Sequence, residues 1–362
     1  MANPVKAAGA RPVCCDPLLE LKVRPRMLHH FTGVDMVRLR HASVDQAAAY
    51  VPLLEDAFAD DRPDVIVHDG VVSPWSGRVL AARLGIPAVE SWPTFASNQC
   101  WSLEDEYIPP VSRVNPRLLA LHARLRWLLR RQHVPMSLSD FLAGRDAPLR
   151  LAYFPREFQF AGETFDESFS FVGPCFDKRY FQGGWRPARQ GRRAIVVTLS
   201  TGMFDWPEFF QACIQAFVGM PHHVVISVGD KQVSDLGLGG VPPNITLRPN
   251  VPLLRVLPHA DLFITSGGMG SVMESLFFGV PMLVIPQLPE NHAVADRVSE
   301  LGLGRQFPAA GIGARPLREA AEAVIGDDRI RAGIEDMQRT VRAAGGAVAA
   351  ADGIDRVLKL HA

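Results

Sequence analysis

No stretch of the 362 residues stays apolar for the roughly 20 positions a membrane-spanning helix needs, and no signal-peptide pattern is read at the amino terminus. Neither sign of charge prevails: 38 Lys and Arg balance 38 Asp and Glu. That balance argues against nucleic acid or an anionic membrane as the main partner and against integral membrane association. Cysteine is scarce and unpatterned. Cys14, Cys15, Cys100, Cys175 and Cys213 form an odd set without metal-ligand spacing, so a reduced, cytoplasmic setting is expected rather than a disulfide framework. His29, His30 and His41 have no carboxylate or cysteine at ligand spacing and read as loop residues, not metal ligands. What the chain has in quantity is apolar side chains, 48% of the total, enough at this length for two cores and hence two domains.

The chemistry concentrates in one stretch. Leu262 to Ile264 is a short apolar run without helical spacing; it gives way to Ser266-Gly267-Gly268-Met269-Gly270, and an amphipathic segment from about Ser271 ends at Gly279, where a second apolar run begins. Strand, loop, helix, strand is the pattern. A helix entered through glycines presents unpaired backbone N–H groups and its positive dipole end, and the missing side chains let an anion approach. Such a turn suits a diphosphate, although glycines also occur at strand-to-helix turns only because the turn is tight. Ser271 can cap the helix and donate to the same anion, and Glu274 can accept from sugar hydroxyls. After the next strand come Pro286-Gln287-Leu288-Pro289-Glu290-Asn291, in the position where open α/β sheets bind ligands.

Earlier, apolar residues recur at helical intervals from Ala47 to Phe58; a strand follows over Asp64–Val67, with His68-Asp69 at its end. Asp69 in that position can simply cap the next helix. Trp75, Trp92, Phe95, Trp101 and Tyr107 read as core side chains, as walls of an apolar pocket, or as both. Leu118 to Arg131 is a basic amphipathic helix, suited either to a solvated arginine face over buried leucines or to a membrane surface. The turn-rich segment 183–193 reads as a linker, and beyond it strands from Ala194 and from His223 alternate with a helix around Pro207–Phe217, which implies a parallel sheet.

Ser266 to Glu274, then Gly279-Val280-Pro281-Met282, Pro286-Gln287 and Arg297 to Gly304 resemble the donor-binding signature of the family 1 glycosyltransferases (the UDP-glycosyltransferase superfamily), in particular the actinobacterial macrolide glycosyltransferases. Asp64 to Asp69, Arg83 to Val89 and Phe171 to Pro174 extend the likeness over most of the chain. The resemblance implies an α/β, GT-B-like fold of two facing Rossmann-like domains with a cleft between them. It implies an acceptor-binding domain over 1–182, a linker over 183–193, a donor domain over 194–345 and a terminal helix over 346–362 packing back on the first domain. It also implies an inverting, metal-independent transfer of a hexose from a nucleotide-diphosphate sugar (UDP- or dTDP-linked), without other cofactor, to a hydroxyl of an apolar macrolide-like acceptor; a homodimer is compatible with it. Donor binding then falls to Ser200, Thr201, Asn250, Val251, Ser266, Gly267, Gly268, Gly270, Ser271, Glu274, Glu290 and Asn291, and the acceptor pocket to Trp75, Phe95 and Trp101. Asp69 becomes the carboxylate of a His-Asp dyad. Three departures stand out: no residue aligns with the dyad histidine, so an amino-terminal segment carrying it is expected to be missing; Asn250-Val251 replaces the base-stacking tryptophan region; and Ser266 replaces a phosphate-binding histidine. Impaired transfer, or a role in nucleotide-sugar binding or scaffolding, is the alternative these departures raise.

Overall fold

The computed structural model describes residues 5–6, 9–13, 31–71, 75–144, 147–176, 184–185, 193–199, 206–229 and 240–361. They divide into two compact units, one running to Val172 and resuming at Gly345, the other spanning Gly173–Ala344.

In the first unit, strands β1 (Ile66–Asp69), β2 (Ala88–Trp92), β3 (Leu149–Ala152) and β4 (Phe169–Phe171) form a parallel sheet in that order. Helices α1 (Gly33–Ala57), α2 (Ser76–Leu84), α3 (Pro116–Arg131) and α4 (Leu138–Ala143) supply an apolar cluster that includes Val44, Val51, Leu80, Leu125 and Phe141. α1 begins well before the helical spacing at Ala47 suggests, because Thr32 and Asp35 build a capping box: the Thr32 N–H and hydroxyl both donate to Asp35 Oδ2, at 3.1 and 2.7 Å. The Thr32 hydroxyl bond, opposed by partial burial, holds the Asp35 carboxyl below its ordinary value. A depressed carboxylate stabilises the fold above about pH 3.9 and loses that contribution as the pH falls through its folded value. Asp35→Asn is therefore expected to cost about 1 kcal/mol near neutrality, and to flatten the acid limb of a melting-temperature profile between pH 5 and the acid transition.

The two faces of this sheet differ. On one, Glu90 is 1% exposed and bound by two guanidinium groups, Arg78 to Oε1 and Arg150 Nε to Oε2 at 3.1 Å, while the Trp92 indole donates to Oε2 at 3.1 Å. Arg78 and Arg150 extend the network to the carbonyls of Phe141 and Gly144, so α2, α4, β2 and β3 meet at one buried carboxylate. On the other face lie Leu149 and Leu151, which contact Gly353 of the terminal helix. Beside Val172 the chain reverses through Gly345 (φ 93°) and Gly346 (φ 58°), left-handed conformations open to glycine. The Gly346 N–H donates to Val172 O at 2.7 Å, delivering α10 (Gly346–His361) to β3; α5 to α9 belong to the second unit.

That unit holds β5 (Ala194–Thr198), β6 (His223–Ser227), β7 (Ile245–Arg248), β8 (Ala260–Thr265), β9 (Met282–Val284) and β10 (Gly304–Gln306), all parallel, in the order β10-β9-β8-β5-β6-β7. β5 and β6 are apolar on both faces and buried almost throughout, as a sheet covered on both sides by helices requires. The helices are α5 (Pro207–Phe217), α6 (Met269–Phe278), α7 (Pro289–Glu300), α8 (Ala314–Ile325) and α9 (Asp328–Ala343). Counted within the unit, the order is that of the doubly wound nucleotide-binding sheet, and it reverses between β5 and β8. Of the proposed linker only Gly184, Trp185 and Arg193 are described.

Candidate functional site

The loop that follows β8 leaves the sheet at this switch point. Thr265 ends the strand with its carbonyl accepting from Ile285 N–H at 2.8 Å and its hydroxyl oxygen accepting from Gly267 N–H at 3.2 Å. Gly267 takes φ 89°, and a Cβ there would lie 2.8 Å from Val284 Cγ1 and 3.2 Å from Asn291 O. The turn is thus wedged between β9 and α7. Ser266 beneath it is buried.

The helix begins earlier than its sequence suggests. α6 starts at Met269 with Gly268 as its N-cap, and Ser271 is inside the first turn. The Ser271 hydroxyl does not cap: it donates to Gly268 O at 2.9 Å, because glycine already gives the extended cap conformation and leaves the serine one turn above the cap carbonyl. The first N–H groups of the helix have no intrahelical acceptors, and Gly268 and Gly270 leave open space before them. At the other end, Arg342 Nε and Gln338 Nε2 donate to Phe277 O at 2.9 and 3.1 Å, so a cation meets the negative end of the dipole. The positive end faces the switch point.

Glu274 lies one turn along α6 and is 2% exposed. Glu290 is half-buried in the first turn of α7. Asn291 is buried, and its Oδ1 accepts from Leu288 N–H at 3.2 Å, capping α7; its carbonyl oxygen is already engaged, which leaves the amide NH2 for any ligand. Gln287, in the same loop, belongs to the Pro286-Gln287 pair that carries part of the resemblance to the donor-binding signature. Its side chain is buried and its Nε2 has no hydrogen-bond partner among the described residues. A buried amide left unpaired by the protein is free to bond a ligand, a state that the sequence itself does not report. Asn250 is exposed and Val251 buried in the loop after β7. Ser200 and Thr201 lie outside the described residues.

In the first unit Asp69 is the last residue of β1, exposed at the carboxyl edge, with Oδ1 accepting from Val71 N–H at 2.7 Å. It pairs in register with Ser91, whose hydroxyl donates to the Tyr153 hydroxyl at 3.2 Å. His68 points to the opposite face, under α2, where a Cβ on Gly77 would fall 2.5 Å from His68 Cβ. The three aromatic candidates separate. Trp75 packs edge-on against Phe141 at 5.7 Å within the helical cluster, whereas Phe95 and Trp101 belong to a ring group with Phe154, Phe158 and Phe160. Phe95 is 1% exposed and Trp101 half-buried.

A doubly wound parallel sheet with a glycine-lined helix amino terminus at its switch point is the arrangement of the phosphate-binding α/β proteins. A family model described as Erythromycin biosynthesis protein CIII-like, C-terminal domain, matches residues 211–346. The chain is 40% identical over 318 residues to the demethyllactenocin mycarosyltransferase of Streptomyces fradiae, covering 87% of this chain and 68% of that protein. It is 36% identical over 362 residues to an NDP-glycosyltransferase of Bacillus licheniformis, covering 98% and 87%. Among solved structures it matches a calicheamicin glycosyltransferase with a TM-score of 0.83 at 32% identity, covering 100% of this chain and 89% of that one. The chain belongs to the family 1 glycosyltransferases and has their GT-B fold of two Rossmann-like domains.

Proposed function

We propose that this glycosyltransferase moves a hexose from a UDP- or dTDP-sugar to a hydroxyl of an apolar, macrolide-like natural product, with inversion and without a metal ion. The observation that carries the reading is the open amino terminus of α6 at the switch point, with its dipole complemented at the far end by Arg342. The N–H groups from Met269 onward and the Ser271 hydroxyl take the departing diphosphate, so leaving-group charge is met by the backbone and a serine rather than by a cation. Glu274, Gln287, Glu290 and the Asn291 amide read the sugar; the loop at Asn250-Val251 belongs to the donor site, and Ser200 and Thr201, outside the described residues, are assigned to it by the resemblance alone. Asp69 orients the base that takes the acceptor proton as the acceptor oxygen attacks the anomeric carbon and the bond to the diphosphate breaks. Trp101, on the packed Phe95 group, offers the acceptor an apolar surface, and the unit carrying it is assigned to acceptor binding. The relatives' names, a mycarosyltransferase and a calicheamicin glycosyltransferase, support the natural-product class.

The test is binding. UDP or dTDP should raise the melting temperature in proportion to ligand occupancy, by the equivalent of about 2.7 kcal/mol at a hundredfold excess over Kd. Ser271→Ala and Gly268→Val should shrink that shift, and Asp69→Asn should leave it unchanged. Calorimetry showing no uptake of either nucleotide at millimolar concentration by the folded chain overturns the reading.

A further inference from the structure

One feature of the sequence is unused by this chemistry, the basic helix α3. Its inner stripe of Leu121, Leu125, Leu128 and Leu129 is buried with side chains of α1 and α2. Polar ties fix its rotation. Arg124 pairs with Asp45, Arg124 Nη1 lies 3.0 Å from His41 Nδ1, and His41 Nε2 is 2.9 Å from Arg117 O. His41 is therefore a residue of α1 that joins two helices, where its sequence surroundings suggest a loop. At 100° per residue, Leu119, Ala123, Arg126, Trp127 and Arg130 fall on the opposite, outer face. Leu119 is 54% and Trp127 53% exposed, and Val114, just before the cap residue Asn115, is 79% exposed. The Arg131 guanidinium lies 5.0 Å from the Trp127 ring centroid. The helix carries five arginines and no carboxylate. Among the described residues its one ion pair is that of Arg124, which leaves Arg117, Arg126, Arg130 and Arg131 uncompensated. A net charge of zero conceals this local asymmetry.

We propose that the outer face of α3 docks the protein peripherally on an anionic lipid surface. Each component suits that occupant. An indole is favoured at headgroup depth, arginine stems cover apolar surface while their guanidinium groups stay among phosphates, and every arginine near the surface adds attraction. A single convex helix lies tangent to a plane, whereas it presents no pocket for the anchor residue of a protein partner. The contact is superficial, since no helix among the described residues is long and apolar enough to cross a membrane. It is also independent of the donor-site reading.

Sedimentation with large vesicles tests it. The full chain should sediment with phosphatidylcholine–phosphatidylglycerol vesicles at low salt, stay in solution with phosphatidylcholine alone, and be released by added salt. Arg126→Glu with Arg130→Glu should lower partitioning by more than roughly 30-fold, the loss expected from removing two arginines alone, and Trp127→Ala should lower it too. The control pair Arg315→Glu with Arg339→Glu, the same charge change on the other unit, should not. If the charge-reversed variant melts early, Arg126→Gln with Arg130→Gln replaces it and must show the same direction. Absence of phosphatidylglycerol-dependent sedimentation overturns the proposal, as does equal loss in the control pair. Retention on heparin without vesicle binding also overturns it, by assigning the face to a soluble polyanion.

Discussion

Glu90→Ala is expected to destabilise the protein by about 3–5 kcal/mol, because it leaves the buried Arg78 guanidinium and the partly buried one of Arg150 without their counter-charge. Arg78 and Glu90 are 5% and 1% exposed, so water cannot take the carboxylate's place. The half-buried Trp92 indole N–H loses its acceptor as well, which adds to the loss. The cost reflects breaking the triad, not its net worth. Replacing all three charges by Arg78→Met, Glu90→Leu and Arg150→Met should cost far less than Glu90→Ala alone, since apolar side chains of similar volume avoid the desolvation of three ions. Urea titration of wild type and both variants, followed by a probe specific to the first unit, measures the difference. An unchanged midpoint for Glu90→Ala, or a triple variant weaker than the single one, would show that the buried charges are compensated in some other way.

The second unit was more legible than the first, and the reason is how far apart the interacting residues lie. β8, the glycine turn, α6 and β9 follow one another without interruption, so apolar runs and glycines within about 25 residues specify the local fold and place the turn at a strand's carboxyl end. The buried triad draws on positions 78, 90 and 150, and the Asn291 cap uses a residue whose sequence position suggests only ligand binding. No periodicity reports such contacts. Trp75 and Trp101 look alike in sequence but enter separate clusters, because Trp75 precedes a helix packed on α4 while Trp101 follows β2 into the phenylalanine group. The start of α6 was displaced for a different cause: glycine has weak helix propensity, yet at Gly268 and Gly270 it occupies the cap and the first turn, where its conformational cost is small and close approach to the backbone is gained.

Gly267→Val should be the most damaging single change in the loop between β8 and α6, and its contrast with Gly268→Ala separates shape from chemistry. At position 267 the backbone is left-handed at φ 89°, a conformation that costs an L-residue roughly 1–3 kcal/mol. The new Cβ would also meet Val284 Cγ1 at 2.8 Å and Asn291 O at 3.2 Å, and one of these is backbone of α7 that can move only with its helix. Overpacking of this kind adds about 1–3 kcal/mol. The fold can avoid the clash only by pushing the loop out of the sheet, which breaks the Gly267 N–H bond to Thr265 and turns the amino terminus of α6 away from its present aim. Stability and nucleotide binding should therefore fall together. At position 268, φ is −64° and an added Cβ meets only Ser271 Oγ at 3.6 Å, so Gly268→Ala should fold with nearly the wild-type midpoint. Any loss of UDP or dTDP affinity in that variant then reports the methyl group standing where the diphosphate approaches. Thermal unfolding of both variants with and without nucleotide decides the matter. A Gly267→Val protein with wild-type stability and an undiminished nucleotide shift would mean that the left-handed turn wedged against β9 and α7 does not hold the loop.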